Sequence, residues 1–267
     1  MPLFSVIIPS YNRLHTLPAT IESVMKQTYS DFEIIVADDG SSDGTANWVN
    51  DQKEDRIRYI YQSNAGVCAA RNKGASIAKG KYLIFLDSDD RVLPSWLEDF
   101  KQEINQKNAE VVYCKRIING ETTDGTGYQG FLAGTFAIRH ELFKLIGGYD
   151  EVLKFGENTE LKWRIQQAGA SIHFINKANV VYEIGENGGG ANRENRIRFY
   201  YHIEKKHADY FRTQKRELQN LCQVVGVDCI VLKRRSEGLK LLWRGYAMYP
   251  VHIPSLLRAV KYTILNK

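Results

Sequence analysis

The first 109 residues alternate between short apolar runs and segments whose apolar residues recur every three or four positions. The runs are rich in β-branched residues, as expected of parallel strands that are buried on both faces. The segments between them match helices with one apolar face. This βαβαβαβ order predicts a mostly parallel, Rossmann-like sheet flanked by helices. Strands are predicted at LFSVIIPSY, FEIIVADDG, IRYIYQ and KYLIFL, and helices within TLPATIESVMKQ, SSDGTANWVNDQ, GVCAARNKGASIAKG and LPSWLEDFKQEIN.

The pattern changes at Glu110, where a strand at EVVYCKRI begins a less regular region. A polar loop follows, then an irregular strand and helix in GTFAIRHELFKLIGGYDE, a short helix in ENTELKWRIQQAG and two short strands in SIHFINKANVVYEI. From about Asn195 the chain is expected to be mainly helical. The predicted domains are an α/β domain at 1–212, made of halves 1–109 and 110–212, and a helical extension at 213–267.

Basic residues are concentrated at the end of the chain. Residues 233–267 carry eight Lys or Arg and one acid, a balance of +7; since the whole chain carries +5, the first 232 residues carry −2. This segment also contains Leu, Trp and Tyr, a composition typical of amphipathic helices at a membrane surface. We expect membrane contact there; the alternative is a packed helix with a solvated basic face. No nucleic-acid-binding module is recognisable, so nucleic acid is not an expected partner.

The remaining features of composition indicate an intracellular protein. The four cysteines show neither C-x-x-C spacing nor neighbouring histidines, so neither structural zinc nor a disulfide framework is expected. The first residues, MPLFSVIIPSYNR, have no basic region before the apolar run and do not match a signal peptide. No apolar run reaches the roughly 20 residues that span a bilayer. The predicted location is the cytoplasm, with peripheral contact at the inner face of the membrane.

Three polar clusters, PSYN, ADDGSSD and DSDD, directly follow the first, second and fourth predicted strands. Ligands of open parallel sheets bind beyond the carboxyl ends of the strands, so these clusters are expected to converge. The carboxylates of DSDD repel one another unless a cation lies between them, and Mg²⁺ is commonly held by one or two carboxylates together with phosphate oxygens. Asp87 and Asp89 are therefore predicted to form a metal and diphosphate site. The alternative is a solvated turn or a helix cap, a role that suits Asp90.

The ADDGSSD cluster contains more carboxylates than one helix cap needs. Asp39 could accept the N3–H of a uracil base, and Tyr11 could stack on that base. Arg71, in CAARNKG, could pair with Asp39 or contact the base or a phosphate. On spacing alone, a capped helix start, a surface tyrosine and a structural ion pair are also compatible with these residues.

Four ordered blocks resemble the family 2 glycosyltransferases: SVIIPSYNR, DFEIIVADDGSSDGT, NAGVCAARNKG and GKYLIFLDSDD. GTFAIRHELFKLIGGYDE and ENTELKWRI resemble the acceptor-side half of that family, so the resemblance runs from about Leu3 to Glu183. It implies the GT-A fold and inverting transfer of a sugar from a nucleotide diphosphate donor, with Mg²⁺ or Mn²⁺. By position it implies nucleotide binding by Pro9, Tyr11, Asp39, Arg71, Asp87 and Ser88, and direct metal binding by Asp89.

One position departs from the family pattern. The family usually takes its general base from the Asp of a Glu-Asp pair that opens the short helix, whereas GENTELKW has Asn158 there. A neutral amide is a poor proton acceptor. We expect Glu157 to serve as the base, because a base must first be within reach of the proton. The alternatives are that Glu160 swings in or that catalysis is impaired, and Asn158 could still bind an acceptor hydroxyl.

Asp39 with Tyr11 suits uracil, so a UDP-sugar is the favoured donor, with guanine and thymine as the alternative bases. A hydroxyl of a saccharide or lipid-linked saccharide is the expected acceptor, in the synthesis of surface polysaccharide or glycolipid. A catalytically impaired nucleotide-sugar-binding protein is one alternative, supported by Asn158. A sugar nucleotidyltransferase is another, but it would need a glycine-rich phosphate loop after the first strand, which PSYNRLHT does not provide.

The segment GENGGGANREN is compatible with either a lid or a flexible connection. As a lid it would bring Arg193 or Arg196 to the diphosphate. His202 and His207, beyond it, are expected to be surface or packed histidines rather than metal ligands.

Overall fold

The computed structural model describes residues 1–123, 131–182 and 192–264. The chain divides into two compact units, Met1–Asn187 and Gly188–Lys267. The first unit holds β1 (Phe4–Ser10), α1 (Leu17–Met25), β2 (Phe32–Asp38), α2 (Thr45–Asn50), β3 (Ile57–Tyr61), α3 (Val67–Ile77), β4 (Tyr82–Phe85), β5 (Arg91–Val92), α4 (Trp96–Lys107), β6 (Val111–Ile118), β7 (Glu121–Thr122), β8 (Phe136–Arg139), α5 (His140–Leu145), α6 (Glu157–Gln167) and β9 (Ile172–Tyr182).

The described part of the second unit is helical. Its helices are α7 (Arg193–Lys206), α8 (Ala208–Thr213), α9 (Lys215–Val231), α10 (Arg235–Met248) and α11 (Ile253–Ile264). The unit begins earlier than the predicted boundary at 212, because α7 packs on α9. Arg196 Nε donates to Asp228 at 2.7 Å across that contact. Over the described residues, none of the helices combines the length and apolar character needed to cross a membrane.

The strands of the first unit form one sheet in the order β3-β2-β1-β4-β8-β6-β9-β5, and β7 pairs with β6 at its side. β1 lies parallel to β2 and β4, and β2 lies parallel to β3. The parallel arrangement predicted for the first four long strands is therefore confirmed. Their carboxyl ends lie along one edge of the sheet, where three polar segments leave it.

The second half of this unit differs from the sequence-based expectation in two ways. β8 is inserted between β4 and β6 and is antiparallel to both. The two short strands predicted at 171–184 are one strand, β9, which runs parallel to β6. Register shifts at Cys114/Lys115 and Lys115/Arg116 let β9 continue, since a bulge absorbs the local mismatch. The sheet is consequently mixed rather than mostly parallel beyond β4.

Both faces of the sheet are buried, which explains the uninterrupted apolar runs in the sequence. Val6 and Ile8 of β1 belong to one hydrophobic cluster, whereas Ile7 between them belongs to the other. This division follows the two-residue alternation of side chains along a strand. The first cluster contains residues of α1 and α4, such as Leu17 and Trp96. The second contains residues of α3, α5 and α6.

Gly74 sets the distance between α3 and the sheet. A Cβ atom at this position would lie 2.5 Å from Ile7 Cγ2 and 3.3 Å from Ala37 Cβ. Only glycine fits such an approach without moving the strand. Arg71 lies on the same helix, three residues earlier. The close packing at Gly74 therefore also sets the distance between the backbone of Arg71 and the sheet.

A buried carboxylate ties β1, β2 and β3 together at the amino-terminal edge of the sheet. Glu33 accepts hydrogen bonds from Ser5 Oγ at 2.6 Å, from the Lys79 N–H at 2.6 Å and from Arg58 Nη1 at 2.9 Å. Burial raises the pKa of Glu33, but these donors outweigh burial and leave the pKa below its ordinary value. A group with a lowered folded-state pKa stabilises the fold above its unfolded pKa, and that contribution disappears as the pH falls through the folded value.

We expect Glu33→Gln to lower the free energy of unfolding by about 2 kcal/mol at neutral pH, since it removes charge-assisted hydrogen bonds. The difference from wild type should shrink as the pH falls below the ordinary value of 4.5, because protonated Glu33 then resembles Gln. Urea unfolding between pH 3 and pH 7 measures this, with the exposed Glu121→Gln as control. A difference that does not change with pH would exclude the ionised carboxylate as the source of stability.

Candidate active site

The carboxyl ends of β1, β2 and β4 bring the three polar clusters of the sequence together. Ser10 at the end of β1 is in register with Asp38 at the end of β2, and the Asp39 N–H donates to the Ser10 carbonyl at 2.8 Å. The Leu86 N–H donates to the Ile7 carbonyl at 2.9 Å, so the DSDD turn leaves β4 beside β1. The predicted convergence at one sheet edge is confirmed, because parallel pairing aligns these three strand ends.

Asp39 is buried and organises the chain that leads into α3. Its Oδ1 accepts from Gln62 Nε2 at 2.7 Å and from the Ala65 N–H at 2.8 Å, and its Oδ2 accepts from the Gly66 N–H at 2.9 Å. These bonds use three of the roughly four acceptor positions of a carboxylate. Tyr11 is half exposed next to this strand end, at 51%. Pro9 is buried within β1. A role for these residues in base binding stays a prediction.

Arg71 on α3 lies at the centre of the site, with a side chain only 2% exposed. Its Nη2 donates to Asp87 Oδ1 at 2.7 Å, and its Nη1 donates to Glu157 Oε1 at 3.0 Å. Its guanidinium also lies 5.2 Å from the centre of the Tyr149 ring. The possible pairing of Arg71 with Asp39 is not seen, because the two terminal nitrogens of Arg71 bind Asp87 and Glu157 instead. The structural ion pair is the interpretation that the geometry supports.

The environment of Arg71 strongly favours its charged form. Burial disfavours the charge, but Asp87, Tyr149 and Glu157 outweigh burial, so the pKa of Arg71 lies well above its ordinary value. Its buried Nε has no hydrogen-bond partner among the described residues.

The DSDD turn combines two exposed and two buried side chains. The side chains of Asp87 and Asp89 are 37% and 45% exposed, whereas Ser88 and Asp90 are buried. The Asp90 N–H donates to the Asp87 carbonyl at 3.1 Å, which closes the turn. The turn is held on its far side by β5, whose Arg91 pairs with β9. The exposed carboxylates thus project from a segment anchored in the sheet at both ends.

Asp90 does not cap α4, contrary to the alternative considered from sequence, because Ser95 occupies the residue before that helix. Its Oδ2 is buried without a hydrogen-bond partner among the described residues. Burial, together with the charges of Asp87 and Asp89, raises the pKa of Asp90 to about 9. Asp90 is therefore mainly protonated at neutral pH unless a cation lies beside it.

The described residues contain no group of three or more His, Cys, Asp or Glu side chains arranged to hold a metal ion by themselves. Hard cations at phosphate-binding sites typically take only one or two carboxylates and complete their coordination with substrate oxygens. Asp89 fits that role because its carboxylate is exposed and, among the described residues, its ion pair with Arg13 is long at 3.7 Å. The unpartnered Asp90 Oδ2 beside it fits the same chemistry. The residues are thus compatible with a cation shared with a substrate.

The first turn of α6 supplies the other side of the site. Glu157 is 17% exposed, and its Oε1 accepts from Arg71 and, at 3.3 Å, from Asn158 Nδ2. Asn158 is buried, and its Oδ1 accepts from the Tyr149 hydroxyl at 2.8 Å. Glu160 is fully buried and pairs with Arg164 one turn later, at 2.6 Å. Glu160 therefore does not reach the site, whereas Glu157 does.

Tyr149 and Asn72 are site residues that sequence reasoning missed. Asn72 Nδ2 donates to the Tyr149 carbonyl at 2.9 Å, and the Tyr149 N–H donates back to Asn72 Oδ1 at 2.8 Å. Burial raises the pKa of the Tyr149 hydroxyl, which remains a donor to Asn158. Asn72 follows Arg71 directly, and Tyr149 lies in the GGYDE segment, so their positions within the matching blocks were the available signal.

The glycine-rich part of the suggested lid, residues 183–191, lies outside the described residues. Arg193 and Arg196 beyond it both contact Asp228, at 3.3 Å and 2.7 Å. The structure therefore gives these two arginines an acidic partner within the second unit. This partner differs from the diphosphate suggested by the sequence.

Comparison with known proteins agrees with this architecture. The structure superimposes on the crystal structure of S. aureus TarS residues 1–349 in complex with UDP-GlcNAc with a TM-score of 0.68. The sequence identity is 19%, and the match covers 97% of this chain and 87% of that one. The mixed sheet with flanking helices is thus a GT-A fold. The family model described as "Glycosyl transferase family 2" matches residues 5–156. The chain belongs to glycosyl transferase family 2.

Two curated relatives illustrate the similarity in sequence. Glycosyltransferase GlyG of Streptococcus pneumoniae is 35% identical over 155 residues, which are 55% of this chain and 51% of GlyG. The Escherichia coli protein named UDP-Glc:alpha-D-GlcNAc-diphosphoundecaprenol beta-1,3-glucosyltransferase WfgD is 39% identical over 125 residues, which are 46% of this chain and 49% of WfgD. The matched region spans about half the length of each of these relatives.

We expect Arg71→Met to destabilise the protein by about 3 kcal/mol, since it leaves Asp87 and Glu157 without their shared partner. Arg71→Lys should cost roughly half as much, because one ammonium cannot reproduce the two-armed contact of the guanidinium. Urea unfolding measures both variants, with Lys73→Met, an exposed cation on the same helix, as control. Wild-type stability in Arg71→Lys would mean that only one of the two ion pairs matters.

Proposed function

We propose that this protein transfers a sugar, with inversion, from a nucleotide diphosphate donor to a hydroxyl of a saccharide or lipid-linked saccharide. A UDP-sugar is the favoured donor, and synthesis of surface polysaccharide or glycolipid is the proposed setting. Family membership supports this proposal, as does the similarity to WfgD, whose name gives UDP-Glc as donor and a diphosphoundecaprenol-linked acceptor. The observation that carries it is that Arg71 joins Asp87, on the donor side, to Glu157, the candidate base.

The donor nucleoside is proposed to bind over the ends of β1 and β2. Asp39 has one acceptor position left after its three hydrogen bonds, which suits a single N–H donor such as N3–H of uracil. The exposed ring of Tyr11 provides a surface on which a base can stack. Guanine and thymine also present a ring N–H and are the alternative bases.

Asp89 is the proposed ligand of Mg²⁺ or Mn²⁺. The two residues before it, Asp87 and Ser88, are proposed to contact the nucleotide. A bound divalent cation supplies positive charge that stabilises the leaving diphosphate. Asp87 is held by Arg71 and lies two residues before Asp89 in the same turn. The exposed carboxylate of Asp89 makes it the better direct ligand, since Asp87 already accepts from a guanidinium.

Glu157 is the proposed general base. The acceptor oxygen attacks C1 of the sugar from the face opposite the diphosphate, the bond from C1 to the phosphate oxygen breaks, and Glu157 takes the proton of the hydroxyl. Arg71 and Asn158 both bind Glu157 Oε1, which leaves Oε2 for that proton. Asn158 is then a positioning residue, since its own oxygen is occupied by Tyr149.

A catalytically impaired nucleotide-sugar-binding protein remains the second candidate. The observation that favours it is Asn158, a neutral amide at the position where the family usually has its base. A sugar nucleotidyltransferase is not favoured, because Asn12 and Arg13 follow β1 where that class requires a glycine-rich phosphate loop.

The ligands to test are UDP, GDP, dTDP and CMP, each in the presence of Mn²⁺. We expect one of them, at a concentration about a hundredfold above its Kd, to raise the melting temperature of the protein by about 5 °C or more. The shift should disappear when Mn²⁺ is removed or Asp89 is changed to Ala. Asp51→Ala, which removes an exposed carboxylate elsewhere, should keep the shift. If no nucleotide changes the melting temperature, the donor site is wrongly assigned.

Glu157→Gln is expected to lower sugar transfer by about 10²- to 10⁴-fold, because it removes the proposed proton acceptor, while the nucleotide-induced shift in melting temperature persists. Glu141→Gln, on the exposed face of α5, serves as control. Asn158→Asp tests the alternative with the base that the family usually has. An inactive wild type that becomes active through Asn158→Asp would show that Glu157 is not the base and that this protein is impaired.

A further inference from the structure

Helix α11 packs on its own unit through its small residues. Ser255 and Ala259, four positions apart, are 2% and 0% exposed. Ser255 Oγ accepts from Gln219 Nε2 of α9 at 3.1 Å, and Thr263 Oγ1, a further four positions along, accepts from Trp243 Nε1 of α10 at 3.2 Å. The inward face of α11 is therefore defined by hydrogen bonds as well as by burial.

Three bulky apolar residues of α11 point away from this packing. Ile253, Leu257 and Ile264 are 64%, 63% and 64% exposed. At 3.6 residues per turn they fall within about 40° of one another, and half-buried Val260 lies on the same side of the helix. A helix of a globular protein normally buries such a face and exposes its polar one. The arrangement in α11 is the reverse: over the described residues, three exposed side chains and half-buried Val260 form one apolar stripe.

Positive charge lies next to the stripe. Lys261 and Arg258 are exposed on α11 and follow the stripe around one side of the helix. Glu237 is the single acid in residues 233–267, and its carboxylate accepts from the Tyr201 hydroxyl at 2.7 Å. The apolar stripe is therefore bordered by cations, with no acid on α11 to oppose them.

We propose that α11 docks on an anionic membrane surface, with its axis in the plane of the membrane and Ile253, Leu257, Val260 and Ile264 inserted between the lipid head groups. An apolar stripe bordered by Lys and Arg is the pattern that binds such surfaces. The 12 residues of α11 are about 18 Å long, which is too short to cross a bilayer. Half-exposed Trp243, bonded to Thr263, adds an aromatic residue of the kind enriched at membrane interfaces.

A second copy of the chain fits this face less well. The balance of +7 over residues 233–267 would place like charges opposite each other in a symmetric pair. Four side chains on one helix also fall far short of the roughly 20–30 residues that each partner contributes to a standard protein interface. A lipid surface requires neither shape complementarity nor such an area, and its negative charge matches Lys261 and Arg258.

This docking surface lies entirely in the second unit and goes beyond the proposed sugar transfer. It uses none of the residues assigned to donor, metal or base. Loss of docking and loss of nucleotide binding can therefore be measured separately on the same variant.

Flotation of the full chain with lipid vesicles tests the proposal. We expect binding to vesicles of phosphatidylcholine and phosphatidylglycerol at 7:3, weaker binding in 0.5 M salt, and little binding to phosphatidylcholine alone. Leu257→Glu should weaken binding at least about tenfold, because it places a charge in the apolar stripe. Lys261→Ala should weaken it about fivefold. Val224→Glu, at an exposed apolar position of α9, is the matched control and should bind like wild type.

Circular dichroism and the nucleotide-induced shift in melting temperature show whether each variant is folded, and both should be unchanged in Leu257→Glu. Three results would overturn the proposal: no binding to anionic vesicles, equal binding to neutral ones, or equal losses in Leu257→Glu and Val224→Glu. A fourth would be a concentration-dependent dimer, measured by light scattering, that Leu257→Glu abolishes while vesicle binding stays the same. That outcome would assign the stripe to a second copy of the chain.

Discussion

The guanidinium of Arg71 is almost completely removed from water, and it depends on Asp87 and Glu157 for the stabilisation that water would otherwise give. Each of its two terminal nitrogens binds one carboxylate, and the two carboxylates come from opposite sides of the site. A buried charge of this kind must have both partners in place, since an uncompensated buried charge is strongly destabilising. The contact that stabilises Arg71 in the folded protein therefore also sets the distance between Asp87 and Glu157.

Several features of the fold serve this one interaction. Gly74 lets α3 pack close to β1, and this places the side chain of Arg71 where it contacts both Asp87 and Glu157. Asn72, the next residue, exchanges two hydrogen bonds with the backbone of Tyr149. Tyr149 in turn stacks on Arg71 and donates to Asn158. Asn158 is therefore hydrogen-bonded to both Tyr149 and Glu157. These contacts give its neutral amide a structural role that does not depend on which residue is the general base.

Periodicity and strand-end chemistry were sufficient to predict the first half of the fold. The four parallel strands and their convergent polar ends follow from rules that relate neighbouring residues. The partners of Arg71 could not be predicted in this way, because Glu157 lies 86 positions further along the chain. The insertion of β8 between β4 and β6 also depends on tertiary packing. Composition indicated an amphipathic end of the chain, but only the structure shows that α11 buries Ser255 and Ala259 and exposes Leu257.

The pairing of β5 with β9 has a consequence for how the protein folds. Arg91, just after the DSDD turn, pairs with Val181, a residue 90 positions later in the chain. Closing the loop between such distant residues costs conformational entropy, so we expect this pairing to form after the local contacts of the first four strands. A nascent chain can therefore complete β1 to β4 while the acidic turn still lacks support on its far side. The donor-side carboxylates would reach their final geometry only after β9 joins the sheet, so an incompletely folded chain would lack an ordered acidic turn.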